Sequence, residues 1–353
     1  MSEVYRALGP GGFDSYGVEW IDGQPRFTRS SELGELLLAP GLVDIHVHGG
    51  FGIDFMSSGK EEMSTLCDKF AGCGYELFLP TTVTASIGDV KQALSNIPDH
   101  PLVGGFHLEG PFISPLHPGA QPPESILDPE SALDDWRTVL EDARLKVVTM
   151  APEIPGALDL ARFLSNRGVV VSMGHTDATY EQAKKGYEAG ALHTTHTYNA
   201  MRGLHHREAG TVGYALLNDA IRCELIYDRK HVSKEAGEIL LRSKPAGGVI
   251  GISDGTKATG AAPGTEVDMW GHACVTGDHE VRLKSNGALA GSAVTLLDVF
   301  RNMAEDFGPE AAIRACTINP RQALRLHEPP QTYLLFDHRY DIVERRDNRT
   351  APR

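Results

Sequence analysis

The chain reads as an α/β fold of the (β/α)8, or TIM-barrel, type, with a small β layer supplied by its two ends. Three observations lead there. From residue 40 onward, eight short β-rich apolar runs alternate with helix-compatible stretches, the rhythm of βα units and a parallel sheet. The residues fit for chemistry sit at the C-terminal ends of those runs: His46 and His48, His107 and Glu109, His175, His196, His231 and Asp254. A barrel enzyme builds its site at that face. Finally, an open doubly wound sheet, the alternative, calls for a glycine-rich phosphate loop after its first strand, and GxGxxG is missing there.

The runs, in order, are GLVDIHVH (41–48), YELFLPTTVT (75–84), LVGGFHLEG (102–110), LKVVTMAPE (145–153), GVVVSMGHTD (168–177), LHTTHTYNA (192–200), CELIYDRKHV (223–232) and GGVIGISDGT (247–256). Helical stretches between them include GKEEMSTLCDKFAGCG, GALDLARFLSNRG, TYEQAKKGYEAG and SKEAGEILLRSKPAG. Several close on a glycine, as a helix C-terminus prefers. Residues 1–39 hold short strand-like pieces, GVEWIDGQPRF and GELLLAP. After the eighth run, 272–284 alternates like a hairpin, two helical stretches follow, and 332–343 is strand-like. The expected division is a small β-rich domain from 1–39 plus 321–353 around a catalytic barrel of 40–320, with the charged tail ERRDNRTAPR frayed.

Composition narrows the function classes. The 353 residues carry a formal net charge of -14, which argues against a nucleic-acid or anionic-membrane partner. An anionic substrate would need a local cluster of positive charge. No apolar run is long enough to cross a membrane and the start lacks a signal-peptide pattern, so a cytoplasmic protein is expected. Five cysteines without CxxC spacing argue against a disulfide framework and a thiolate zinc site, and read as buried or incidental thiols.

The candidate chemistry begins with PGLVDIHVHGG (40–50). On a strand, alternate side chains share a face, so His46 and His48 can grip one ion. Taken alone, the fragment fits a strand edge with two exposed histidines equally well. Glu109, His175 and His196, at the ends of runs three, five and six, offer one carboxylate oxygen and two imidazole nitrogens. Three ligands and an open position suit a catalytic divalent site. His107 shares a face with Glu109 and could support it from behind, whereas His193 falls on the opposite face from His196 and reads as structural. Asp254 could take a proton from attacking water and hand it to a leaving amine; an Asp-Gly turn after a strand explains it as well. In HHREAG, His205, His206 and Arg207 form a local basic cluster, with arginine shaped to hold phosphate.

These segments, with GFHLEGPF, MGHTDA, THTYNAM, DRKHV and ISDGT, resemble the N-acetylglucosamine-6-phosphate deacetylase family of the amidohydrolase superfamily, in the same order and over about residues 36–337. The resemblance implies a barrel of the metal-dependent hydrolase type with Glu109, His175 and His196 as metal ligands. It matches His46 and His48 to the superfamily's first-strand pair, which would add a second ion bridged through Glu109. Some relatives lack that pair, so one or two divalent ions, zinc, iron, cobalt or manganese, stay open. Run four ends TMAPE without the carbamylated lysine of many members, which favours Glu109 in the bridging place. Asp254 becomes the general base, and His231 contacts the sugar or polarises the acetamide carbonyl. Gln121 lines the pocket; the backbone at Asn199 and Ala200, with His206 and Arg207, takes the 6-phosphate. In relatives that arginine reaches the neighbouring subunit's site, which implies a homodimer. One departure stands out: Arg229 replaces the glycine of Asp-Gly-x-His and is expected to add bulk and charge near the pocket. The implied reaction is hydrolysis of the acetamide of N-acetylglucosamine 6-phosphate to glucosamine 6-phosphate and acetate, in amino-sugar catabolism. Its rivals are the same chemistry on N-acetylgalactosamine 6-phosphate or another amide, and a non-catalytic sugar-phosphate or metal-binding protein that kept the barrel.

Overall fold

Branched apolar residues favour a buried, pleated backbone, and all eight runs contain strands. In the computed structural model, which describes residues 3–350, they are Leu42–Val47, Tyr75–Pro80, Phe106–Glu109, Leu145–Met150, Val170–Met173, Ala191–Thr194, Arg222–Ile226 and Val249–Ile252. The third to eighth pair side by side, in chain order and in parallel, as one curled sheet; the first two form a separate parallel pair. Pair and sheet meet through isolated parallel bridges, Phe78 to Val103 and Thr81 to His107 at one seam and Val47 to Gly255 at the other. At the second seam the Asp254 amide donates to the His46 carbonyl at 3.0 Å and the His48 amide to that of Gly255 at 2.8 Å. The expected closed eight-stranded barrel is therefore met in part: a six-stranded parallel sheet and a two-stranded pair meet at two seams through isolated bridges in place of continuous ladders.

Helices Lys60–Gly72, Ala157–Asn166, Tyr180–Glu188 and Lys234–Ser243 fill the stretches read as helical, and Ile87–Ser95, Pro129–Leu140 and Gly210–Leu217 fill other connections. The first three end beside Gly74, Gly168 and Gly190, all at positive φ, where glycine avoids the left-handed penalty. Gly49 serves differently: a Cβ there would strike the Ile53 carbonyl. The main core lies between strands and helices, with Leu66, Phe70, Trp136, Leu164 and Phe300. A smaller one, with Val43, Ile45, Leu79, Val147, Ile226 and Ile252, lies among the strands. Four of the five cysteines are buried and all are free.

Two further sheets complete the chain. The hairpin expected at 272–284 is the middle of a four-stranded antiparallel sheet of Glu266–Met269, His272–Thr276, Glu280–Leu283 and Leu289–Ser292. Both chain ends join one six-stranded sheet, in the spatial order Ile342–Asp347, Thr332–Phe336, Leu37–Pro40, Glu3–Gly9, Gly12–Ile21, Gln24–Arg29. Glu3–Gly9 had no clear signal in the sequence. The tail is not frayed over 344–349: it pairs with the preceding strand, and Arg349 donates to the Glu76 and Pro101 carbonyls at 3.2 Å. The remainder of that tail from 351, like residues 1–2, lies outside the described residues. Among those described, no helix is long and apolar enough to cross a membrane.

Candidate active site

The sheet delivers its side chains by a shared local device. His175, His196 and Asp254 each stand two residues beyond the last residue of a strand, at Met173, Thr194 and Ile252. All three are left-handed, with φ of 47°, 31° and 47°. Non-glycine residues adopt that conformation at a cost, and such strain gathers at functional sites. Here it turns each side chain toward one centre. Glu109 ends the third strand, and His46 and His48 close the first.

There the six candidates divide into two buried groups, His46, His48 and Asp254, and Glu109, His175 and His196, each able to offer three ligand atoms to one ion. Nε2 of His46 and of His48 lie 3.2 Å apart, and both are within 3.5 Å of Asp254 Oδ1. Glu109 Oε1 is 3.2 Å from Nε2 of His175 and of His196. The same carboxylate lies 3.4 Å from His46 and from His48, between the two groups.

The donor set fits divalent cations. His48 Nδ1 faces the Thr81 carbonyl at 3.1 Å and His175 Nδ1 that of His117 at 3.0 Å; a carbonyl only accepts, so both Nδ1 carry hydrogen. His46 Nδ1 lies 3.2 Å from Glu224 Oε2. The Nε2 lone pairs therefore point inward, as metal ligands require. Burial pulls His46 down to about 4. Burial also opposes charge on His48, but Asp254 and Glu109 outweigh it and lift that ring to about 10, so an ion taking its Nε2 lone pair would first displace a proton. Asp254 is pushed up by burial and held at about 2 by His46 and His48.

The surroundings hold these groups in place. Gln121, expected only to line the pocket, does more: its Nε2 donates to Glu109 Oε2 at 2.6 Å and its Oε1 accepts from the Thr84 amide at 2.7 Å. His107 bonds the Ile45 carbonyl and Thr149 at 3.0 and 2.8 Å and packs its ring edge-on to His46. His193 is buried and belongs to neither candidate group. Over the two groups opens a cavity of about 170 Å³, lined also by Asn199, Ala200, His231 and Trp270. His231 is fixed by Asp228, whose Oδ2 holds its Nδ1 at 2.6 Å.

Two expectations need comment. His206 and Arg207 are exposed, bond one another at 3.0 Å, and stand outside this cavity; among the described residues no lysine or arginine lines it. Arg229 adds neither bulk nor charge to the pocket, a correction with a plain cause. At φ 65° its side chain turns outward, and the guanidinium bonds Asp306 at 2.7 Å and Glu305 at 2.8 Å. Glu224, Asp228 and Trp270 were missed. Asp228 was visible as the aspartate of Asp-Gly-x-His without a role of its own, and Glu224 left a trace as a carboxylate in the apolar strand Arg222–Ile226, which burial pushes up to about 8.

This constellation of histidines and carboxylates at the ends of parallel strands defines a class. The amidohydrolase family model matches residues 37–329, and the chain belongs to that family. Its relatives are more particular. It is 36% identical to an N-acetylglucosamine-6-phosphate deacetylase from Lysinibacillus sphaericus, covering 93% of this chain and 84% of that protein. It is 34% identical to an N-acetylgalactosamine-6-phosphate deacetylase from Escherichia coli O157:H7, over 92% and 90%. Among solved structures, a mutant N-acetyl-D-glucosamine-6-phosphate deacetylase from Mycobacterium smegmatis, in complex with N-acetyl-D-glucosamine-6-phosphate, superposes with a TM-score of 0.87 at 26% identity and 98% coverage of both chains.

Proposed function

We propose that this enzyme hydrolyses the acetamide of N-acetylglucosamine 6-phosphate to glucosamine 6-phosphate and acetate. The observation that carries the reading is the pair of buried ligand groups that meet at Glu109 beneath one cavity, on a chain with deacetylase relatives. The strands form a (β/α)8 barrel interrupted at two seams, with residues 40–320 as the catalytic domain and 1–39 plus 321–353 as the β-rich one. Glu109, His175 and His196 would hold one divalent ion, and His46 and His48, beside Glu109, would hold a second where two are bound. Zinc, iron, cobalt and manganese all suit these ligands. When bound, such an ion acidifies water and polarises an amide carbonyl.

The chain's own residues do the rest. Asp254, kept ionised by His46 and His48, takes the proton of the attacking water and returns it to the nitrogen as the C–N bond breaks. His231, oriented by Asp228, hydrogen-bonds the carbonyl oxygen as it gains charge. Asn199 and Ala200 receive the sugar phosphate beside the cavity. That no lysine or arginine among the described residues lines the cavity supports a homodimer in which Arg207 of one copy serves the other's phosphate. We place the enzyme in the cytoplasm, where sugar phosphates are retained by their charge.

The deciding measurement is acetate release by metal-loaded protein from N-acetylglucosamine 6-phosphate, its galactosamine epimer and the unphosphorylated sugar. A clear preference for the first is expected. Equal or better turnover of the epimer reassigns the sugar, and no turnover of any overturns the reading.

A further inference from the structure

The turn that carries His231 has an unusual anchor. Asp228 Oδ1 accepts the amides of Lys230 and His231 at 2.8 Å each while its Oδ2 holds the imidazole Nδ1, leaving Nε2 as the ring nitrogen free for substrate. Between aspartate and histidine sits Arg229, left-handed at 65°, where a Cβ crowds the following carbonyl. Something must hold it there. Its Nε donates to Asp306 Oδ2 at 2.7 Å and its Nη2 to Glu305 Oε2 at 2.8 Å, both on the helix Leu296–Phe307. The same helix grips the strand end twice more: Asn302 Nδ2 donates to the Tyr227 carbonyl at 3.0 Å, and the Tyr227 hydroxyl to Asp306 at 3.0 Å. Lys234 closes the cluster on Asp306 at 3.2 Å.

We propose that the Arg229 ion pairs with Glu305 and Asp306 lock the left-handed turn to this helix, so that Arg229 is a positioning residue for His231 and turnover depends on an ionic contact remote from substrate. This rests on the role given to His231 above. Because the Arg229 and Glu305 side chains are 39% and 51% exposed, dissolved salt screens that half of the lock, and it reaches the Asp306 half, at 17% exposure, mainly through the arginine. The buried His231–Asp228 pair, 4% and 0% exposed, is shielded.

The test measures kcat at saturating N-acetylglucosamine 6-phosphate, between about 50 and about 500 mM sodium chloride, for wild type, Arg229→Gln and the double variant Glu305→Gln/Asp306→Asn. The first variant keeps a side chain in the left-handed turn and removes the cation; the second keeps the arginine and removes its partners. Both are expected to lose about three- to tenfold in kcat with KM little changed, and to lose the decline of kcat with salt that wild type shows. Hydrogen exchange at the Lys230 and His231 amides should quicken in both. If either variant folds and keeps the wild-type kcat and salt profile, the lock is structural only and the inference falls. A wild type that releases no acetate overturns the functional reading instead, so the two failures are told apart.

Discussion

Asp254 carries the sharpest expectation at the scale of one residue. Asp254→Asn keeps the side chain's size and removes its basicity, so metal content should persist while turnover falls at least about 100-fold; metal analysis beside acetate release checks both, and substantial residual hydrolysis would sink the assigned role. Glu224 acts one step further out, on the far nitrogen of His46. Glu224→Leu should weaken metal retention by about 10- to 100-fold, read as ion content after dialysis against graded chelator. The two residues also differ in legibility. Asp254 follows an apolar run, where a barrel places its chemistry, whereas Glu224 lies inside a strand and its meaning appears only once His46 is seen beside it. Gln121 was readable as a lining residue but not as a partner of Glu109, because 12 positions of loop separate them.

At the scale of elements, acid should loosen the helix Leu296–Phe307 from the turn at 228–231. Burial alone would raise the Asp306 carboxyl, but hydrogen bonds from Arg229, Lys234 and Tyr227 outweigh it and hold it below the ordinary range. A depressed carboxylate stabilises the fold above its unfolded value and loses that contribution as pH falls through its folded one. Between about pH 5 and pH 2, wild type should therefore lose more melting temperature than Asp306→Asn; parallel curves would refute the coupling. The strands themselves were legible, since each run is apolar and ends in polar chemistry. What the runs could not convey was direction off a turn: Arg229 was expected to add bulk and charge near the pocket, and at its positive φ the side chain points the other way. Trp270 was equally hidden, because it lies between two strands of the four-stranded sheet and reaches His48, ring centroids 5.3 Å apart, only through the fold.

At the scale of the molecule, the short helix Asn319–Ala323, which leads into the terminal sheet, is tied to the second parallel strand by a buried ion pair, Glu76 with Arg321. Arg321→Leu would strand that carboxylate in a dry interior and should cost about 3–5 kcal/mol, measured by denaturant unfolding. If the homodimer reading holds, mixing and reassembling Asp254→Asn with Arg207→Ala should restore activity that neither has alone, because one site of a hybrid regains both groups; no recovery in verified hybrids would exclude the shared site. The meeting of the two chain ends was expected from their strand-like pieces, although the mixed pairing of Glu3–Gly9 with Leu37–Pro40 was not. Finally, His175, His196 and Asp254 are left-handed at a cost of about 1–3 kcal/mol each, a sizeable share of the roughly 5–15 kcal/mol that holds a typical protein together. Selection for heat resistance alone would drift toward glycine or asparagine at these three positions and gain robustness while erasing the reaction. Durability and turnover pull the same few backbone angles in opposite directions.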